Sequence, residues 1–178
     1  DIKINARNKA KALGIPVLME GSDRGTIDIE RFDLEPERPV LHGMVAHLDM
    51  SKYKDLKTMD ERIPYITAVT GVETLSPRMK ASAIEIMASI STWPQLASAV
   101  TYGGGITADL SRKILLNNLN VSGRFFIDMD ELIADPEKAK NYAPKEDILL
   151  LQTEDLDKFI SVNALAFDQC NYQLPNEV

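Results

Sequence analysis

The stretch IPVLMEGSDRGTIDIERF, residues 15–32, does most to limit what this chain can become. IPVLME (15–20) is a short apolar run without polar alternation, the pattern of a strand covered on both sides. GSDRG (21–25) has the composition of a turn. TIDIERF (26–32) then alternates, with Ile27, Ile29 and Arg31 on one face and Asp28, Glu30 and Phe32 on the other. That is the pattern of a half-exposed antiparallel strand.

The flanking segments supply the helices. Residues 2–13 place Ile2, Ala6, Ala10 and Leu13 on one helical face, and Gly14 suits the C-terminal end. DLEPERP (33–39) is a Pro-rich charged turn, and VLHGMV (40–45) reads as a returning partner strand. Residues 49–75 read as short helices broken at Pro64. SPRMKASAIEIMASI (76–90) is a helix capped by Ser76, with Pro77 in its first turn and Met79, Ala83, Ile86, Met87 and Ile90 on one face. TWPQLASAV (92–100) opens another helix against which Trp93 packs, and the helical spacing continues through Ile106, Leu110 and Ile114. RFFIDMDELI (124–133) begins as a strand. Residues 134–178 read as a polar tail or linker, with DILLLQ as a short strand-like run.

Three contiguous glycines, Gly103, Gly104 and Gly105, sit within the helical stretch TYGGGITADLSRKIL. A phosphate-binding turn spaces its glycines, and the P-loop also needs a Lys-Ser/Thr pair that is missing from this stretch. Each interior glycine costs up to about 1 kcal/mol of helix stability relative to Ala. The expectation is therefore close packing, with small residues four apart at Gly103/Thr107 and Gly104/Ala108.

Charge and composition narrow the partners. The net charge of −7 and the lack of a dense Lys/Arg block argue against nucleic acid. No apolar run approaches the roughly 18 residues of a membrane span. The first residues lack the apolar core of a signal peptide, and they begin inside a helical pattern without Met, so a trimmed start is expected. The single cysteine, Cys170, excludes an internal disulfide and, with its polar neighbours, lacks the cationic setting of a nucleophile. These features fit the cytoplasm. His42 and His47 are five apart rather than four, so no metal site is expected and both read as satisfied or surface histidines. The carboxylates Asp28, Glu30, Asp33, Glu35 and Glu37 read as a solvated hairpin edge.

EGSDRG lies at the carboxyl end of the buried strand, where open α/β sheets bind ligands. Glu20, Ser22, Asp23 and Arg24 are thus candidates to face a carboxylate or its adenylate, with Arg24 neutralising phosphate and Asp23 holding it in place. The alternative is a tight turn with a local ion pair.

NKAKALGIPVLMEGSDRGTIDIERF, STWPQLASAVTYGGG and SGRFFIDMDE together resemble the ThiF-like adenylating domain of ubiquitin-activating enzymes and their bacterial relatives, in particular an uncharacterised bacterial branch. The resemblance covers about residues 1–133. It implies the C-terminal half of an incomplete Rossmann-like, three-layer α/β domain, with a mixed sheet and an antiparallel hairpin. It also implies that the complete protein activates a carboxylate with ATP and magnesium. The substrate would be the C-terminus of a small ubiquitin-like or sulfur-carrier protein, or another acid, and the protein would be a homodimer. Lys3 falls where the family has an Arg near its magnesium-linked Asp. The glycine-rich nucleotide turn would lie upstream of Asp1, so this chain alone is expected to be inactive, to contribute no catalytic residue and to bind no cofactor tightly. No transfer cysteine occurs in residues 21–100, and the Cys-x-x-Cys zinc pair of the sulfur-carrier activators is missing. These departures favour a second reading, a non-catalytic binding or dimerisation platform. A nicotinamide-binding Rossmann domain is weaker, because neither its glycine turn nor its acidic ribose ligand is found.

Overall fold

A computed structural model describes residues 2–86 and 89–133. Met87, the DILLLQ run and Cys170 lie outside the described residues. The element order is α1 (Ile2–Ala12), β1 (Val17–Gly21), β2 (Thr26–Glu30), α2 (Met59–Thr70), α3 (Pro77–Glu85), α4 (Ala97–Leu115), β3 (Gly123–Phe125) and the single turn α5 (Met129–Leu132). The protein is of the α/β class. Its three strands form one sheet in the order β1-β2-β3, antiparallel at both pairings. The expected hairpin is present, with Val17 opposite Glu30 and Gly21 opposite Thr26. The expected mixed sheet is not found among the described residues. A turn as short as residues 22–25 can only return the chain antiparallel, because a parallel partner needs a long crossover.

Alternation along β2 gives it two chemically opposite faces. Ile27 and Ile29 pack with Ile114 of α4, and Leu18, Ile106, Leu110 and Leu119 close around them. On the other side, Ile4 of α1, Leu41, Val45 and Val69 of α2 form a second cluster that includes Met19. The sheet is thus covered on both sides. The half-exposed strand expected at 26–32 is instead buried on both faces, with Asp28 and Glu30 wholly inaccessible.

Three local expectations are corrected. α1 buries Ile4 and Arg7, while Ile2 and Leu13 are exposed, so its inward face is not the one the aliphatic spacing marked. The reason is Arg7, which reaches Glu30 and fixes the helix rotation. VLHGMV is not a strand, because Leu41, His42 and Gly43 all have left-handed backbones (φ 49°, 55° and 88°). Successive left-handed non-glycine residues are costly. Here the turn is held by the Leu41 N–H donating to Glu30 Oε1 at 2.6 Å and by complete burial of the Leu41 side chain. Pro64 does not break α2. It faces solvent, and the helix is fixed at its start by a capping box of Thr58 and Glu61 and at its end by left-handed Gly71.

The helix carrying the glycines starts at Ala97, not near Thr92, and runs for 19 residues. Trp93 precedes it and is 42% exposed rather than packed under its first turn. Only Gly103 answers the packing expectation. A Cβ there would fall 2.6 Å from Glu20 Cδ, whereas one at Gly104 or Gly105 would meet nothing within 4 Å. Gly104→Ala and Gly105→Ala should therefore each raise stability by roughly 0.5–1 kcal/mol, the helix-propensity difference. Urea denaturation checks this, and a loss of stability in either variant would contradict the open surroundings.

Candidate functional site

The turn joining β1 to β2 builds the site. Thr26 N–H donates to Asp23 O at 3.0 Å, and the two residues between, Arg24 and Gly25, are both left-handed (φ 52° each). Left-handed backbone at both central positions suits a hairpin turn and demands Gly where space is tightest. Asp23 does not pair with Arg24. Its Oδ2 accepts the Ser76 N–H at 2.7 Å and its Oδ1 the Ser76 hydroxyl at 2.6 Å. Ser76 Oγ in turn caps α3 by accepting the Met79 N–H at 3.0 Å. Asp23 therefore sits at the N-terminus of α3, the place where a helix holds an anion.

Arg24 is held from several sides. Its Nε donates to Asp128 Oδ2 at 3.1 Å, one Nη to Glu131 Oε1 at 2.9 Å and the other to Thr74 O at 3.2 Å. Its guanidinium also lies 4.7 Å from the Phe126 ring centroid, a cation–π contact. These contacts fix a non-glycine residue in a left-handed backbone.

Between this turn, α3, the segment before α4 and the start of α5 lies a cleft of about 390 Å³, a volume suited to a small ligand. Ser22, Asp23 and Arg24 line one wall, Arg78, Met79 and Ser82 of α3 another. Pro94, Gln95, Leu96, Ser98, Ala99 and Tyr102 line the α4 side, and Asp128 and Met129 complete the rim. The cleft opens just past the carboxyl end of β1.

Glu20 lies at that strand end but its carboxylate turns onto Gly103, where Oε1 is buried without a hydrogen-bond partner. Burial pushes its pKa up from the ordinary carboxylate range. Lys3 is exposed on α1 and is not a lining residue of the cleft. Of the five residues singled out in the sequence, the fold brings Ser22, Asp23 and Arg24 to the cleft. Arg78, Tyr102 and Asp128 join them from more than 50 residues away, and Asp128 from 104 residues beyond Arg24, which strand and turn patterns do not reveal.

Beneath the hairpin the polar face of β2 forms a buried ionic network. Arg124 of β3 grips Asp28 in a two-pronged contact, Nε to Oδ1 at 2.7 Å and Nη2 to Oδ2 at 2.8 Å. Its remaining Nη donates to Thr70 O at 3.1 Å. His42 Nε2 lies 3.2 Å from Asp28 Oδ1, and its Nδ1 faces the Arg38 guanidinium at 3.1–3.3 Å. A guanidinium only donates, so Nδ1 accepts and Nε2 carries the hydrogen given to Asp28. The expectation of a satisfied His42 holds, and His47 is exposed. Glu30 receives Arg7 Nε at 2.5 Å. Asp28 and Glu30 are thus not the solvated edge that their alternation suggested, although Asp33 and Glu37 are exposed. Burial by itself raises the Asp28 pKa, but the hydrogen bonds from Arg124 and His42, with the charge of Arg124, outweigh it and bring it down to about 2.

Among the described residues, no three His, Cys, Asp or Glu side chains are placed to hold a metal ion, and no helix is long and apolar enough to cross a membrane. No family model matches the chain, and no solved structure matches it. It is 40% identical over 129 residues to "Uncharacterized protein MT1398" of Mycobacterium tuberculosis (strain CDC 1551 / Oshkosh). The match takes in 72% of this chain and 18% of that protein, so the chain spans about a fifth of the length of the relative it matches.

Proposed function

We propose that this chain is the later half of a ThiF-like, Rossmann-like adenylating domain, and that the cleft at the end of β1 is its acceptor face. The complete cytoplasmic, homodimeric protein would activate a carboxylate: the acid attacks the α-phosphate of ATP, pyrophosphate leaves and an acyl-adenylate forms. The acid is the C-terminus of a small ubiquitin-like or sulfur-carrier protein, or another carboxylate. The observation that carries the reading is that Ser22, Asp23 and Arg24, the turn that the sequence marks as the acceptor-side loop, line one cleft together.

The described residues of this chain do not fit the nucleotide phosphates or their magnesium. Arg24 already faces two carboxylates, and Asp23 already occupies the N-terminus of α3. Those groups belong to other parts of the full-length protein, and this chain's residues orient the acid.

The engagement of Arg24 also favours the second reading, a non-catalytic binding platform within a larger protein. Pyrophosphate exchange into ATP separates them. The 178-residue chain is expected to give none, and clear exchange by it would refute the absence of a nucleotide site. The full-length protein should exchange in the presence of its acid. Failure there with every acid offered favours the platform.

A further inference from the structure

Past β3 the chain runs against the β1–β2 turn, and one residue of that turn fastens it. Arg24 meets four of the six residues from Phe126 to Glu131. Its guanidinium lies 4.7 Å from the Phe126 ring centroid, and its carbonyl accepts the Ile127 N–H at 2.9 Å. Its Nε donates to Asp128 at 3.1 Å and its Nη2 to Glu131 at 2.9 Å. The left-handed backbone of Arg24 (φ 52°) presents carbonyl and side chain to the same segment. Burial does little to hold that segment. None of its described side chains joins a hydrophobic cluster, and Met129, Leu132 and Ile133 are 40%, 67% and 76% exposed. A segment fastened by polar contacts rather than by apolar burial belongs to the low end of local stability.

The same segment lines the cleft through Asp128 and Met129. Its upstream end is fixed, because Gly123–Phe125 pairs with β2. Lifting residues 127–132 off Arg24 therefore removes part of the cleft's lining and opens it to solvent. We propose that residues 127–132 form a strap over the cleft, latched by Arg24, and that the strap is released while the hairpin beneath it stays folded. Glu131 is 69% exposed at its side chain, so its pair with Arg24 is screened by salt, and the latch loosens as ionic strength rises. The latch controls access alone, so it operates whether or not the complete protein forms an adenylate.

The test pairs hydrogen exchange of the 178-residue chain, read by mass spectrometry, with thiol labelling of Met79→Cys in a Cys170→Ser background. Met79 lines the cleft and is 6% exposed, so a thiol there reports opening. Peptides covering 126–133 should exchange roughly tenfold faster than those covering the hairpin at 17–30. Arg24→Gln should speed both exchange in 126–133 and labelling at position 79 by about tenfold, the scale of losing two partly exposed ion pairs. Raising NaCl from about 0.05 to 0.5 M should speed both by roughly two- to threefold with Arg24 present and leave Arg24→Gln unchanged. Asp128→Asn with Glu131→Gln should reproduce Arg24→Gln while keeping the turn residue. Asp109→Asn, which removes a surface pair on α4 outside the cleft, should alter neither readout.

Exchange in 126–133 no faster than in the hairpin would overturn the strap, because the segment would then leave only when the whole fold opens. Labelling at position 79 that ignores both Arg24→Gln and the Asp128→Asn, Glu131→Gln pair, with hairpin exchange showing each variant folded, would overturn the latch.

Discussion

Asp28→Asn should cost this protein about 3–5 kcal/mol of stability, the penalty for leaving a buried cation without its partner. Asp28 is wholly inaccessible and meets both Arg124 and His42. The amide keeps the shape but strands the Arg124 guanidinium, which is itself only 10% exposed at its side chain. Chemical denaturation measures the loss, and a change below about 1 kcal/mol, the surface-pair range, would show that the pair is not buried in solution. Changing both partners, to Asp28→Leu with Arg124→Met, should recover much of it, because two apolar groups leave no unpaired charge.

The same pair sets a pH dependence. The Asp28 pKa falls from 3.8 to about 2 on folding, so its contribution is complete above the unfolded value. It is lost as the pH falls from about 4 toward 2, and it amounts to roughly 2 kcal/mol. The gap between wild type and Asp28→Asn should narrow across that window.

Gly25→Ala should be the second large effect. Gly25 is left-handed, and a Cβ there would lie 2.6 Å from Tyr102 Cε2 and 2.8 Å from the Ile127 carbonyl oxygen. The carbonyl is backbone and does not swing away, and Ile127 N–H is already bonded to Arg24 O at 2.9 Å. Strain and overpacking together should destabilise by roughly 2–4 kcal/mol. The cleft should open as well, since Tyr102 and Arg24 both line it, and Trp93 emission reports the change. Full retention of stability would mean that the turn does not seat against Tyr102 as described.

Much of the backbone was legible in the sequence. The apolar 15–20 run, the polar turn and the alternation of TIDIE fixed a hairpin, and Ser76-Pro77 marked the start of α3. These features are written in neighbouring residues, as strand period, turn chemistry and caps. The errors share a cause. The rotation of α1, the left-handed turn at VLHGMV and the burial of Asp28 and Glu30 all depend on partners remote in the chain. Arg7 is 23 residues from Glu30, and Arg124 is 96 from Asp28. Alternating charge along a strand reads as solvent exposure unless the opposite charges arrive to neutralise it.

The candidate site divides in the same way. Its location, at the end of β1 with Ser22, Asp23 and Arg24, follows from local sequence. Its chemistry does not, because Asp128 and Glu131, the carboxylates that engage Arg24, lie 104 and 107 residues along the chain.

The sequence alone determined the hairpin, the capped start of α3 and the turn between β1 and β2, since each follows from residues within a few positions of one another. Tertiary structure alone decided which charges are buried, which glycine is pressed and which remain open, and which residues line the cleft. Those outcomes depend on side chains that meet only after the chain has folded.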